Sequence, residues 1–308
     1  MSANSPEEMR ESLKPMWEAL ARAQERLNTA TGSYWYFAIL RLQADFKHVD
    51  LPGIGFIRRV EEAPEPVFLL TALQDMRVAY ALGRYSASIR YELGVERTAE
   101  RPDSDCFTLA WAVISALRVR SLTEVLVPAA SDVPWAAVAA ARPCTVRMLE
   151  DMPGTRLLAP PVAVSHEHVS WVSVNHKAYS ALLSEPAFRV AAEALTLHQF
   201  QAGERMMTAH LWAGIEALFN IQAELRFRLA AVIASLLEPR GEARRDLYRR
   251  VQRLYDVRSK AVHGAKLSAD ALEEHILEVR SLLSRLLCLS IERAALFSTD
   301  DLETALFG

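Results

Sequence analysis

The sequence predicts a mainly α-helical protein in two parts. A helical C-terminal domain over residues 165–308, with a four-helix up-down bundle, follows a mixed α/β or α+β domain over residues 1–160. Three observations predict this. From Val174 onward the apolar residues recur at helical spacing, and breaks at Pro186, Gly203, Pro239-Arg240-Gly241 and Gly264 leave only short connections. Residues 123–149 read as strand, helix, strand. Between these regions, Glu150 to Pro161 carries Pro153, Gly154, Pro160 and Pro161, the composition of a boundary. A chain of 308 residues is long enough for two modest domains.

Taken in order, Ser5-Pro6-Glu7-Glu8 is a helix start, with a cap, Pro at the first position and acids in the first turn. The helix runs to about Leu27 on Leu13, Met16, Trp17, Leu20 and Ala21. Tyr34 to Leu42 is aromatic and reads equally as a strand or a buried helix. Leu51-Pro52-Gly53-Ile54-Gly55 is a turn and Ala63-Pro64-Glu65-Pro66 a linker. Val67 to about Leu93 reads as helix with a weak point at Gly83, and Cys106 to Arg120 as a buried helix after a polar loop. A βαβ unit is expected from Thr123–Val127, Val133–Ala141 and Cys144–Leu149. It has no Gly-rich phosphate loop and receives no nucleotide site. The region before residue 160 is either a sensor or substrate-guiding domain or a packing scaffold; its residues do not separate the two.

His166-Glu167-His168 with His176 suggests metal ligands, but carboxylates are sparse nearby and Val169 to Val174 alternates like a strand, so no metal site is assigned. Helices are expected over about 174–184, 186–199, 203–220, 222–237, 241–263 and 268–296, the last capped by Ser268. Met207, Leu211, Gly214 and Leu218 mark the buried seam of the helix after Gly203.

The net charge of −3 excludes a uniformly basic nucleic-acid binder. The charge is uneven, however: residues 240–266 hold nine Lys and Arg against three Asp and Glu, a local +6 that leaves the remainder at −9. This stripe is either a polyanion site or a solvated face laced with pairs such as Glu242–Arg245 and Asp246–Arg250. Cys106, Cys144 and Cys288 form neither a disulfide framework nor a zinc pattern. No apolar run reaches membrane-spanning length and no signal peptide opens the chain, so a cytoplasmic location without a membrane partner is expected.

The densest chemistry lies in Leu254-Tyr255-Asp256-Val257-Arg258-Ser259-Lys260-Ala261-Val262-His263-Gly264, where Gly264 reads as the left-handed residue ending a helix. Arg258 is planar and permanently charged, so it can hold a phosphate and stabilise transition-state charge. His263 can take a proton from a ribose 2′-hydroxyl or give one to a leaving 5′-oxygen. The two lie about 140° apart around an ideal helix, so a long Arg side chain, a distorted last turn or a second subunit must bring them together. Ser259, four residues before His263, shares its face and can orient the imidazole. Lys260 and Arg253 either contact phosphates or stand in solvent, and Asp256 either steers a neighbouring Arg or dilutes the basic run.

Arg258-x4-His263, preceded by His210-Leu-Trp-Ala-Gly-Ile-Glu-Ala-Leu-Phe219, resembles the Apea-like branch of the HEPN superfamily over roughly residues 172–297. The resemblance implies a HEPN four-helix bundle and a metal-independent endoribonuclease without cofactor. It also implies a homodimer that faces two Arg-x4-His motifs across its interface, and a toxin or phage-defence role on tRNA or other cellular RNA, with an antitoxin or defence partner. It places a supporting acid at Glu216, whose other reading is a salt bridge, with Arg228 as a candidate partner. Ser259 departs from the Asn, Asp or His common there, and Ala265 stands where some HEPN toxins carry a modified Tyr. The alternative is a non-catalytic nucleotide- or RNA-binding or protein-interaction module in a defence or stress complex.

Overall fold

The computed structural model describes residues 6–30, 33–141, 144–150, 162–201, 203–219, 221 and 225–307. It is mainly helical with a small antiparallel sheet. The expected boundary, from residue 151 to 161, and the Ser5 cap lie outside the described residues. The chain divides into two compact units: Met1–Ala110 with Val125–Met152, and Trp111–Glu124 with Pro153–Gly308.

In the first unit, helix α1 (Pro6–Thr29) precedes strands β1 (Tyr34–Ile39), β2 (Gln43–Ala44), β3 (His48–Leu51) and β4 (Gly55–Arg59). Helices α2 (Pro66–Ala72) and α3 (Met76–Gly83) and strand β5 (Tyr91–Glu96) follow, then α4 (Asp103–Ser121), β6 (Ala129–Ser131) and β7 (Val146–Met148). The six-stranded sheet has the order β3-β4-β5-β1-β6-β7. The aromatic run at Tyr34 is a strand. Five of its six residues are buried, so neither face shows a polar alternation, which is why periodicity left it open.

Two expectations are corrected here. The helix over 67–93 stops at Gly83, and Tyr91–Glu96 is a central strand between β4 and β1. Its Glu92 and Gly94 disguised it, because a carboxylate and a glycine are both disfavoured in strands. The βαβ unit is absent: residues 123–127 contribute only an isolated bridge, Leu40 to Leu126, and β6 and β7 pair antiparallel across a single 3-10 turn at Trp135–Ala137. Trp35 and Phe37 meet Phe107 of α4 edge-on on one face of the sheet, while Tyr36, Phe56, Arg58 and Glu92 occupy the other.

The second unit begins with the latter part of α4. After the short strand β8 (Ala163–Val164) come α5 (His166–Leu182), α6 (Pro186–Leu197), α7 (Glu204–Phe219), α8 (Leu225–Leu237), α9 (Glu242–Val262), α10 (Ala269–Glu292) and α11 (Thr299–Phe307). The strand-like reading of Val169–Val174 is wrong: these residues lie in α5, and His168 Nδ1 accepts from the Ser165 amide at 3.1 Å in a capping box. Among the described residues no three His, Cys, Asp or Glu side chains gather as a metal site. No described helix is long and apolar enough to cross a membrane.

Ser268 caps α10 by accepting from the Ala271 amide, as expected, whereas α11 was not anticipated. Met207, Leu211, Gly214 and Leu218 are all buried, as the seam required. A Cβ on Gly214 would come within 2.7 Å of the Ala194 Cβ, so glycine is what lets α6 and α7 approach. Helix α10 packs against α5, α6, α7, α8 and α9, which places it at the centre of the unit.

Two buried histidines give this unit an acid sensitivity. Burial holds the His275 pKa down to about 4, and the Trp212 indole N–H donates to its Nε2 at 3.1 Å, which suits a neutral ring. Burial, reinforced by Arg280, holds His198 at about 3 while its Nδ1 lies 2.7 Å from the Leu195 carbonyl. Both folded values lie below the ordinary 6.5. The unfolded chain therefore binds protons first, and stability present above pH 6.5 drains away as pH falls toward 4. The unfolding free energy read from urea titrations is expected to fall over that window, by roughly 3 kcal/mol for His275 alone. His275→Phe should flatten the slope.

Candidate functional site

Helix α9 carries Arg258 and ends at His263. The basic, polar composition of its outer surface leaves only Val251, Leu254 and Ala261 buried. Its C-terminus is a Schellman turn: the Ala265 amide donates to the Lys260 carbonyl at 3.0 Å, the Gly264 amide to Ala261 at 3.4 Å, and Gly264 has φ +76°. This is the left-handed ending that the sequence indicated. His263 is the C-cap residue, and its side chain is exposed.

The turn is held from α7. Arg205 donates from Nη1 to the Ala261 carbonyl and from Nη2 to the Ala265 carbonyl, each at 2.6 Å. A cation on orphan carbonyls at a helix C-terminus satisfies them and opposes the negative end of the helix dipole. Sequence reasoning missed Arg205, because its partners lie 56 and 60 residues away and its immediate neighbours carry no signal. Arg205→Ala is expected to speed amide hydrogen exchange at Gly264 and Ala265 about tenfold, roughly 1.4 kcal/mol of local stability. Unchanged exchange rates would make the clamp incidental.

Arg258 is fixed more deeply. Its Nη2 lies 3.1 Å from Glu216 Oε1 and 3.4 Å from Oε2, and its guanidinium sits 5.4 Å from the Tyr255 ring centroid. The pair is three-quarters buried, with side chains 23% and 24% exposed. Burial pushes the Glu216 carboxyl up, and Arg258 opposes that shift. The contact is not a two-bond fork: Oε1 lies at ion-pair distance without hydrogen-bond alignment, and Arg258 Nε has no hydrogen-bond partner among the described residues. Tyr255 meets Trp212 edge-on at 5.4 Å, and Trp212 stacks on His275 at 6.4 Å, so an aromatic column links Arg258 to the core. Glu216, read from the sequence either as a supporting acid or as one half of a salt bridge, pairs with Arg258.

The remaining residues fall around this pair. Ser259 is partly exposed, and its carbonyl accepts from the His263 amide at 3.0 Å. Lys260 and Arg253 are exposed, and Arg253 borders a shallow cleft between α9 and α10. Asp256 pairs with Arg226 of α8 at 2.6 Å. The local pairs expected along the stripe give way to others: Arg250 pairs with Glu278 of α10 at 2.7 Å, and Asp246 lies 4.0 Å from Arg249. Within one chain, no hydrogen bond or ion pair joins Arg258 to His263 among the described residues.

No family model, curated protein or solved structure matches this chain.

Proposed function

We propose that the protein is a metal-independent endoribonuclease of the HEPN type, with α7 to α10 as the HEPN bundle. In this reading a substrate 2′-hydroxyl attacks its own 3′-phosphorus, the 5′-oxygen leaves, and the products carry a 2′,3′-cyclic phosphate and a 5′-hydroxyl. His263 moves the protons. Arg258 stabilises the charge on the pentacoordinate phosphorus, Glu216 positions Arg258, Ser259 orients the imidazole, and Lys260 and Arg253 contact flanking phosphates. A homodimer supplies the second Arg and His, and a toxin or phage-defence role on tRNA or other cellular RNA in the cytoplasm, restrained by an antitoxin or defence partner, follows from the resemblance.

One observation carries this reading: α9 ends in a clamped turn that presents His263 to solvent, while Arg258 on the same helix is held by Glu216 and Tyr255. The test is to incubate purified protein with total RNA in EDTA and map the fragment ends. Cyclic-phosphate ends are the expected product, and intact RNA at high enzyme concentration would defeat the proposal.

The largely buried Arg258–Glu216 pair also supports a second reading, a non-catalytic RNA- or nucleotide-binding or protein-interaction module, since a neutralised Arg contributes less to a transition state. That reading requires saturable RNA binding without product.

A further inference from the structure

A concavity in the first unit lies over the sheet face that α4 does not cover. It has a volume of about 400 Å3 and is walled by the end of α1, the sheet and the turn at Pro134–Ala136. Pockets that hold small organic ligands run from roughly 300 to 1,000 Å3.

The sheet register builds its floor. Phe56 and Tyr36 both stand opposite Gly94, and the Phe56 ring occupies the space of the missing side chain: a Cβ on Gly94 would come within 2.5 Å of that ring. Tyr34 lies 5.2 Å from Phe56, and His48 stacks on it at 5.4 Å with 27° between the planes. One row along, His48, Arg58 and Glu92 align across three strands. Glu92 is 2% exposed; its Oε1 accepts from Arg58 Nε at 2.6 Å and lies 2.6 Å from Nη2, and its Oε2 accepts from the Trp135 amide at 2.9 Å.

Arg58 is thereby immobilised by its inner edge, above Phe56 at 4.7 Å. Its outer edge, formed by Nη1 and the second Nη2 hydrogen, has no further hydrogen bond among the described residues. A planar guanidinium edge of this kind pairs with two acceptors side by side, such as phosphate oxygens or the O6 and N7 of guanine. Aromatic lining beside it suits a flat heteroaromatic ring. An aliphatic acid would leave the aromatic floor unused, and a neutral hydrocarbon would leave the Arg edge desolvated and unpaired.

We propose that this cavity binds a nucleoside monophosphate, with its base against the Tyr34 and His48 rings and a two-acceptor edge on Arg58. The site lies wholly within the first unit and does not depend on the nuclease reading.

Calorimetric titration of the full chain with GMP, AMP, CMP and UMP tests it, with guanosine and inorganic phosphate as separate arms. At least one monophosphate is expected to bind saturably, with a dissociation constant below about 1 mM. Thr29→Trp, which fills the cavity from the exposed end of α1, should weaken that binding at least about tenfold. Arg58→Lys keeps the charge, removes the planar edge, and should weaken it likewise. If Arg58→Lys unfolds, Thr29→Trp carries the test alone. GMP binding matched by guanosine places the base edge on Arg58, whereas competition by inorganic phosphate places the phosphate there. The proposal is overturned if no monophosphate saturates at millimolar concentrations, if Thr29→Trp leaves affinity unchanged, or if only an oligoribonucleotide binds.

Discussion

His263→Ala is expected to cut RNA cleavage by about 10²–10⁴-fold, the range over which a positioned acid or base contributes to proton transfer. The fold should survive, because the side chain is exposed at a helix C-cap and substitutions at such positions usually cost within about 0.5 kcal/mol. An unchanged circular dichroism spectrum and melting point, together with lost cleavage, is therefore the expected pair of results. Arg258→Lys should also lose cleavage, since lysine keeps the charge but cannot reproduce a planar two-edge contact. Arg258 and His263 share no hydrogen bond or ion pair within one chain among the described residues, so the two variants should complement each other. A mixed dimer of Arg258→Ala and His263→Ala protomers retains one guanidinium and one imidazole across the interface. Recovered cleavage on mixing would place the reacting groups on opposite subunits. Two variants that each retain parental rates would remove the nuclease reading and leave the binding one.

The sequence made the helical unit legible because its breakers are strong and its apolar seam keeps a 3.6-residue period; Gly264 and Ser268 both act as their chemistry dictates. The sheet was harder to see. Strands β1 and β5 are buried on both faces, and the second carries Glu92 and Gly94, which have reasons that only cross-strand neighbours reveal: Arg58 satisfies the carboxylate, and Phe56 fills the place of a side chain. His168 looked like a ligand because capping and ligation use the same ring nitrogen, and only the Ser165 amide distinguishes them. Around Arg258, Glu216 was legible as an acid between two aromatics, but Arg205 was not, since a clamp on backbone carbonyls leaves no mark in the sequence of the residues it clamps.

Arg280→Ala should produce the largest loss of stability, about 3–5 kcal/mol, the usual cost of removing one partner of a buried ion pair. A domain is stable by only about 5–15 kcal/mol, so the urea midpoint should fall by a large fraction. Arg280 lies on the buried face of α10 with Ile276, Val279 and Leu283, and its side chain is 4% exposed. Its Nη1 lies 2.7 Å from Glu124 Oε1, and its Nη2 donates to the Leu122 carbonyl at 2.7 Å. Leu122 has φ +53°, a conformation that costs a non-glycine residue about 1 kcal/mol or more and persists only where surrounding contacts hold it. Burial lowers the Arg280 pKa, and Glu124 opposes that shift. One side chain thus ties the end of α4 and its strained turn to α10, beside the 2.6 Å bond from Ser284 Oγ to the Val119 carbonyl. This explains why Trp111–Glu124 belongs with the helical unit although the chain reaches it from the sheet. If the pair serves geometry more than energy, the double variant Arg280→Met with Glu124→Leu should recover most of the stability lost by either change alone, because neither charge is then left buried without its partner. A loss below about 1 kcal/mol for Arg280→Ala would mean that water reaches the site and the lock is weaker than its burial implies.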